Sequence, residues 1–115
     1  MKFRTSLVAA CALALMGLQS TAFAKGDAER GREKSQVCQA CHGVDGNGIG
    51  DPQYPLLAGQ YEDYLAYALR AYQKGDRQNA IMQGFVATLT EQDIEDLAAY
   101  YAGQKGQLGD LSHYR

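Results

Sequence analysis

The chain is poor in the side chains from which most metal and disulfide sites are built. It has three cysteines, two histidines and three methionines in 115 residues. It has no basic excess either. The formal net charge is −2, which argues against nucleic acid as a partner. Its longest apolar run, Leu7 to Leu18, is too short and wrongly flanked for a permanent membrane span. There are no internal repeats, and no low-complexity run beyond a glycine-rich patch after residue 42.

The first 24 residues read as a secretory signal peptide. Lys2 and Arg4 form a basic start, Leu7 to Leu18 an apolar middle, and Ala22-Phe23-Ala24 a small-residue cleavage site. This predicts export across the inner membrane to the periplasm. Val8-Ala9-Ala10-Cys11 also looks like a lipoprotein signal, but the apolar run before Cys11 is very short and continues well past it. Removing residues 1–24 leaves 91 residues with a net charge of −4, because Lys2 and Arg4 are lost and no acidic residue is. A chain of that size buries a modest core and is commonly stabilised by a disulfide, metal or cofactor.

The remaining cysteines lie in Cys38-Gln39-Ala40-Cys41-His42, followed by Gly43. This C-x-x-C-H run reads as a c-type haem attachment site. Residues three apart share a helix face, so Cys38 and Cys41 can each form a thioether to one porphyrin, and His42 can turn its imidazole to the iron. A thioredoxin-like redox pair would call for a βαβ pattern and a reducing compartment. A zinc site would need two more soft ligands, and only Cys11 and the near-terminal His113 are left to supply them.

Helical signals fill much of the rest. Asp27 is a plausible N-cap for a first helix running to about Ala40, with Gly31 inside it as a point where another helix can cross closely. Tyr61 to Lys74 shows helical spacing closed by Gly75. The last helix starts with Thr90 and Asp93 as a capping box and a Leu89–Ile94 staple, and it ends at Gly103. Its apolar face is Ile94, Leu97, Ala98, Tyr101 and Ala102; Asp93, Glu95 and Asp96 read as a solvated face. The polar tail after Gly103 carries no clear structural signal.

Two irregular segments separate these helices. Residues 43–60 are rich in turn residues, and a loop that long normally wraps something. Within it, the Pro55 carbonyl is free to accept a hydrogen bond from His42 Nδ1, or Pro55 is an ordinary loop proline. Residues 75–84 read as a second loop holding Met82, the one methionine that remains after cleavage. A lone methionine is commonly core filler. This one lies 40 residues past His42, where a distal iron ligand would be delivered; His113 competes for that role.

Together these features resemble the class I c-type cytochromes, in particular the short bacterial kind that includes the halves of periplasmic di-haem cytochromes. The likeness rests on Gly31, CQACHG, the DGNG loop, YPLLAGQ, the KGDR segment leading to Met82, and LTEQDIEDLAAYYAG, and it covers nearly the whole mature chain. It implies an all-α fold of three main helices and loops around one haem c, with a signal peptide at 1–24, the cytochrome domain at 25–103 and a tail at 104–115. It implies covalent haem on Cys38 and Cys41, His42 and Met82 as axial ligands, and the Pro55 carbonyl supporting His42. The first and last helices are expected to cross at Gly31 against Tyr100 or Tyr101.

The implied function is single-electron transfer between respiratory redox proteins that dock transiently, without catalysis. The alternatives are a dedicated subunit of one dehydrogenase or reductase, and a peroxidase-like or gas-binding protein. The last would need Met82 off the iron, and no distal His or Arg stands in an obvious position. The tyrosine-rich middle helix offers a surface on which a second copy could pack as a homodimer.

Overall fold

A computed structural model of the chain describes residues 24–108. The expected leader, apart from Ala24, lies outside the described residues, as do Cys11, His113 and the rest of the tail from 109 on. Among the described residues the structure is helical, with no strand. The helices are α1 (Ala28–Lys34), α2 (Gln39–His42), α3 (Glu62–Lys74), α4 (Ala80–Val86) and α5 (Glu91–Ala102), with a 3-10 turn at Ser35–Val37. No helix among them is long and apolar enough to cross a membrane.

The N-terminal helix starts where the sequence predicts. The Asp27 carboxylate accepts the N–H groups of Glu29 and Arg30, both at 3.0 Å. It does not run unbroken to Ala40. The buried Ser35 hydroxyl donates back to the Arg32 carbonyl at 2.7 Å, and the Cys38 N–H bonds to the Ser35 carbonyl at 2.8 Å, tightening the chain into a 3-10 turn. The C-x-x-C-H run therefore sits on its own short helix, re-aimed relative to α1.

The core joins α3 to α5 through Leu65, Ala66, Ile94, Leu97, Ala98, Tyr100 and Tyr101, with Leu89 packed against it. At the start of α5 the Thr90 hydroxyl accepts the Asp93 N–H at 3.1 Å, and the Asp93 carboxylate accepts the Thr90 N–H at 2.9 Å. Both halves of the predicted capping box are present. The first and last helices among the described residues, α1 and α5, cross at Gly31. A Cβ on Gly31 would lie 2.0 Å from the Asp96 carbonyl oxygen and 2.8 Å from the Tyr100 Cβ, so only a bare backbone fits. The crossing is against Asp96 and Tyr100, and Tyr101 is turned elsewhere.

The acidic side of α5 is not the solvated face that its composition suggests. Asp96 is 4% exposed. It accepts Arg30 Nε at 2.7 Å, Arg30 Nη2 at 2.9 Å, the Asp27 N–H at 2.8 Å and Gln92 Nε2 at 2.9 Å. Glu91 and Glu95 hold Arg70 of α3, and Asp93 meets Lys34 Nζ at 3.0 Å. These pairs fasten α5 to both neighbouring helices.

The glycine-rich loop is pinned to α5 and to the chain beyond it. Tyr100 Oη donates to the Val44 carbonyl at 3.0 Å, and the Gly59 N–H donates to the Tyr101 carbonyl at 3.0 Å. Leu57 and Ala58 both donate to the Gly46 carbonyl. Residues 104–108 close over this loop: Asn47 Nδ2 reaches the Lys105 carbonyl at 2.9 Å, and the Gly106 backbone abuts Ala58. That contact gives the start of the tail a structural place that the sequence alone did not assign.

Candidate functional site

Among the described residues an apolar cleft of about 270 Å³ opens between α2, α3, α4 and the 43–60 loop. Cys38, Cys41, His42, Pro55 and Met82 all line it, together with Leu56, Leu65, Leu69, Tyr72, Leu97 and Tyr101. All five residues singled out from the sequence thus come to one place, although 44 positions separate Cys38 from Met82.

Each is positioned by local physics. Cys38 and Cys41, on the turn after Ser35, are both half-buried. Burial pushes the Cys38 thiol up, partly offset by the Tyr101 hydroxyl. His42 ends α2, is 6% exposed, and its Nδ1 lies 2.9 Å from the Pro55 carbonyl oxygen. A carbonyl only accepts, so Nδ1 must be the donor, and in the neutral ring that leaves the lone pair on Nε2. Gly43 follows in a positive-φ conformation (83°), and the His42 carbonyl accepts the Gly48 N–H at 2.7 Å. The histidine is therefore fixed at both its ring and its backbone.

Met82 does not lie in a loop. It sits in the first turn of α4, a helix capped by Asn79, whose side chain accepts the Met82 N–H at 3.1 Å. The residue is half-buried. Ahead of α4, the Arg77 guanidinium stacks 4.9 Å above the Tyr72 ring at the edge of the same cleft. Asn79 followed by an apolar Ala-Ile-Met run was the available sequence signal for this helix, and Gly84 obscured it.

Tyr101 is a site residue that sequence reasoning placed only on an apolar face. It is 4% exposed, and its hydroxyl has no hydrogen-bond partner. Burial raises its pKa, with the nearby Cys38 as a further cause. Enclosing an unpartnered hydroxyl costs about 1–3 kcal/mol, so a phenol here, and not a phenyl, is a notable choice.

Among the described residues no group of three or more His, Cys, Asp and Glu side chains is disposed to hold a metal ion. Comparison with known proteins points elsewhere. Residues 28–104 match the family model described as cytochrome c. Cytochrome c4 of Pseudomonas aeruginosa is 44% identical over 97 residues, covering 84% of this chain and 48% of that protein. Cytochrome c-554(548) of Halomonas halodenitrificans is 43% identical over 83 residues, covering 70% of this chain and 99% of its own length. The solved structure of reduced recombinant cytochrome c4 from Pseudomonas stutzeri superposes with a TM-score of 0.68 at 45% identity, over 73% of this chain and 48% of that one. The chain spans about half the length of the cytochrome c4 relatives it matches.

The prosthetic group implied by such proteins is haem c, and the residues present fit it. The cleft is apolar, as a buried porphyrin requires. It offers two thiols three residues apart, one imidazole with a free Nε2 and one thioether, the donor set of a covalently attached, axially ligated haem. The Tyr101 hydroxyl is a polar group enclosed beside the same cleft, close to Ser35 and Cys38 but without a well-formed hydrogen bond. On these matches and this donor set, the chain belongs to the cytochrome c family and carries a covalently bound haem c.

Proposed function

We propose that the protein carries single electrons in the periplasm, with Cys38 and Cys41 as the thioether attachment points and His42 and Met82 as the two axial ligands. The observation that carries this reading is the convergence of the Cys38–His42 run and the distant Met82 on one apolar cleft. Bound haem supplies a one-electron Fe(III)/Fe(II) couple.

The rest is the work of the chain. The Pro55 carbonyl holds the His42 ring with Nε2 unprotonated and available. The Asn79 cap presents Met82 from a defined helical turn. A thioether ligand and an apolar surround both favour the lower charge of the reduced state, which raises the potential. If His42 and Met82 both hold the iron, no coordination site would stay open for oxygen or peroxide, which disfavours the peroxidase-like and gas-binding alternatives.

Redox partners would dock where the cleft reaches the surface. Val37, Ile81 and Phe85 line it and are respectively 59%, 52% and 48% exposed. A small, transient contact there suits a carrier that must release its partner. Tyr64 and Tyr67, exposed along α3, and Tyr61 just before it form a surface on which a second copy of the chain would pack. A second reading, a dedicated electron-transfer subunit of one dehydrogenase or reductase, is favoured by the 44% identity over 68 residues to the thiosulfate dehydrogenase electron acceptor of Thiomonas intermedia.

The test is a denaturing gel stained for haem, together with a potentiometric titration of the native protein. The reading predicts haem that stays with the denatured chain and a reversible one-electron couple. Haem released on denaturation, or a couple that is irreversible, would contradict it.

A further inference from the structure

We propose that Tyr101 positions and tunes the redox centre by donating a hydrogen bond from its hydroxyl to the Cys38 sulfur, raising the midpoint potential. This rests on the reading of Cys38 as an attachment point. Tyr101 belongs to the core of α5, its ring set against Tyr100 with centroids 5.0 Å apart and planes inclined at 58°. The ring cannot swing away to find water. Its hydroxyl is enclosed, has no partner, and lines the same cleft as Cys38, which itself packs against the core cluster that contains Tyr101.

The other hydroxyl nearby belongs to Ser35, which is already engaged. Ser35 Oγ donates to the Arg32 carbonyl and accepts Gln39 Nε2, and Ser35 does not line the cleft. Ser35 and Cys38 both come close to the phenol, and Cys38, which shares the cleft with Tyr101, is left as the acceptor for its proton. Sulfur is a weak acceptor, but a donor aimed at it draws electron density away from whatever the sulfur is bonded to. At an attachment sulfur this disfavours the more positive oxidised state, a second-sphere effect on the potential. A phenylalanine would fill the same volume and leave the sulfur unpolarised.

The test compares the holoprotein with Tyr101→Phe and Ser35→Ala by potentiometry and by resonance Raman of the C–S stretching region in H2O and D2O. The expected result is a negative shift of the midpoint in Tyr101→Phe and a displaced C–S mode that has lost its solvent-isotope sensitivity. Ser35→Ala should retain the wild-type midpoint and mode. Coincident midpoints and modes for wild type and Tyr101→Phe would overturn the proposal, as would a Ser35→Ala variant that reproduces the Tyr101→Phe shift. Failure of the attachment reading shows up separately, as haem released from the denatured wild type.

Discussion

Arg30 and Asp96 are 66 positions apart and meet in a two-pronged ion pair, with Nε to Oδ2 at 2.7 Å and Nη2 to Oδ1 at 2.9 Å. The carboxylate is buried, whereas the guanidinium side chain is about half exposed. The pair clamps α1 against α5 beside the Gly31 crossing, and α1 leads through the Ser35–Val37 turn to the short helix that bears both cysteines. The integrity of the haem-attachment turn is thus tied to a contact between the two ends of the fold.

That contact carries a pH dependence. Burial opposes ionisation of Asp96, but the donors from Arg30, Asp27 and Gln92 outweigh it, and the net effect holds its pKa below the usual carboxylate value. A depressed folded-state pKa gives stability that is present above the unfolded value and lost as pH falls through the folded one. The holoprotein should therefore lose stability on acidification below about pH 4. Asp96→Asn should cost about 1–3 kcal/mol at neutral pH and flatten that acid limb. Urea titrations of both forms between neutral and acid pH check this.

Gly31→Ala should destabilise although alanine is the better helix former. The added methyl would fall 2.0 Å from the Asp96 carbonyl oxygen, a backbone atom that cannot rotate aside. Separating the helices to make room costs about 3 kcal/mol, the upper end of ordinary overpacking, against a propensity gain of about 1 kcal/mol. Thermal unfolding monitored by far-ultraviolet circular dichroism reads the net loss directly.

Asn79→Ala should loosen Met82 without removing it. Loss of the side-chain cap costs about 1 kcal/mol, a factor of about five in the opening of the α4 turn. Titration with exogenous imidazole should displace the native axial ligand at about one-fifth of the wild-type concentration.

Much of this arrangement was legible in the sequence where the signal is local. The C-x-x-C-H spacing, the Asp27 cap and the Thr90–Asp93 capping box each depend on residues three or four apart, and each appears in the structure. Non-local features were harder to read. Asp96 looks like any surface carboxylate until the fold brings Arg30 and the Asp27 N–H to it. The break at Ser35 comes from a hydroxyl that turns inward to its own backbone, a choice that burial makes and sequence does not display. The seven-residue α4 is too short to show periodicity, so the segment holding Met82 reads as a loop where the structure has a helix. Tyr101 fitted an apolar face equally well as a phenol or a phenyl, and only the enclosed hydroxyl distinguishes the two.

The central claim is that Met82 is the second axial ligand, and the oxidised absorption spectrum of the holoprotein tests it most directly. A weak far-red sulfur-to-iron band should be present in the wild type and absent in Met82→Ala, whose midpoint potential should also fall. A wild-type protein that holds its haem covalently yet lacks that band, or a Met82→Ala variant that keeps it, would contradict the account.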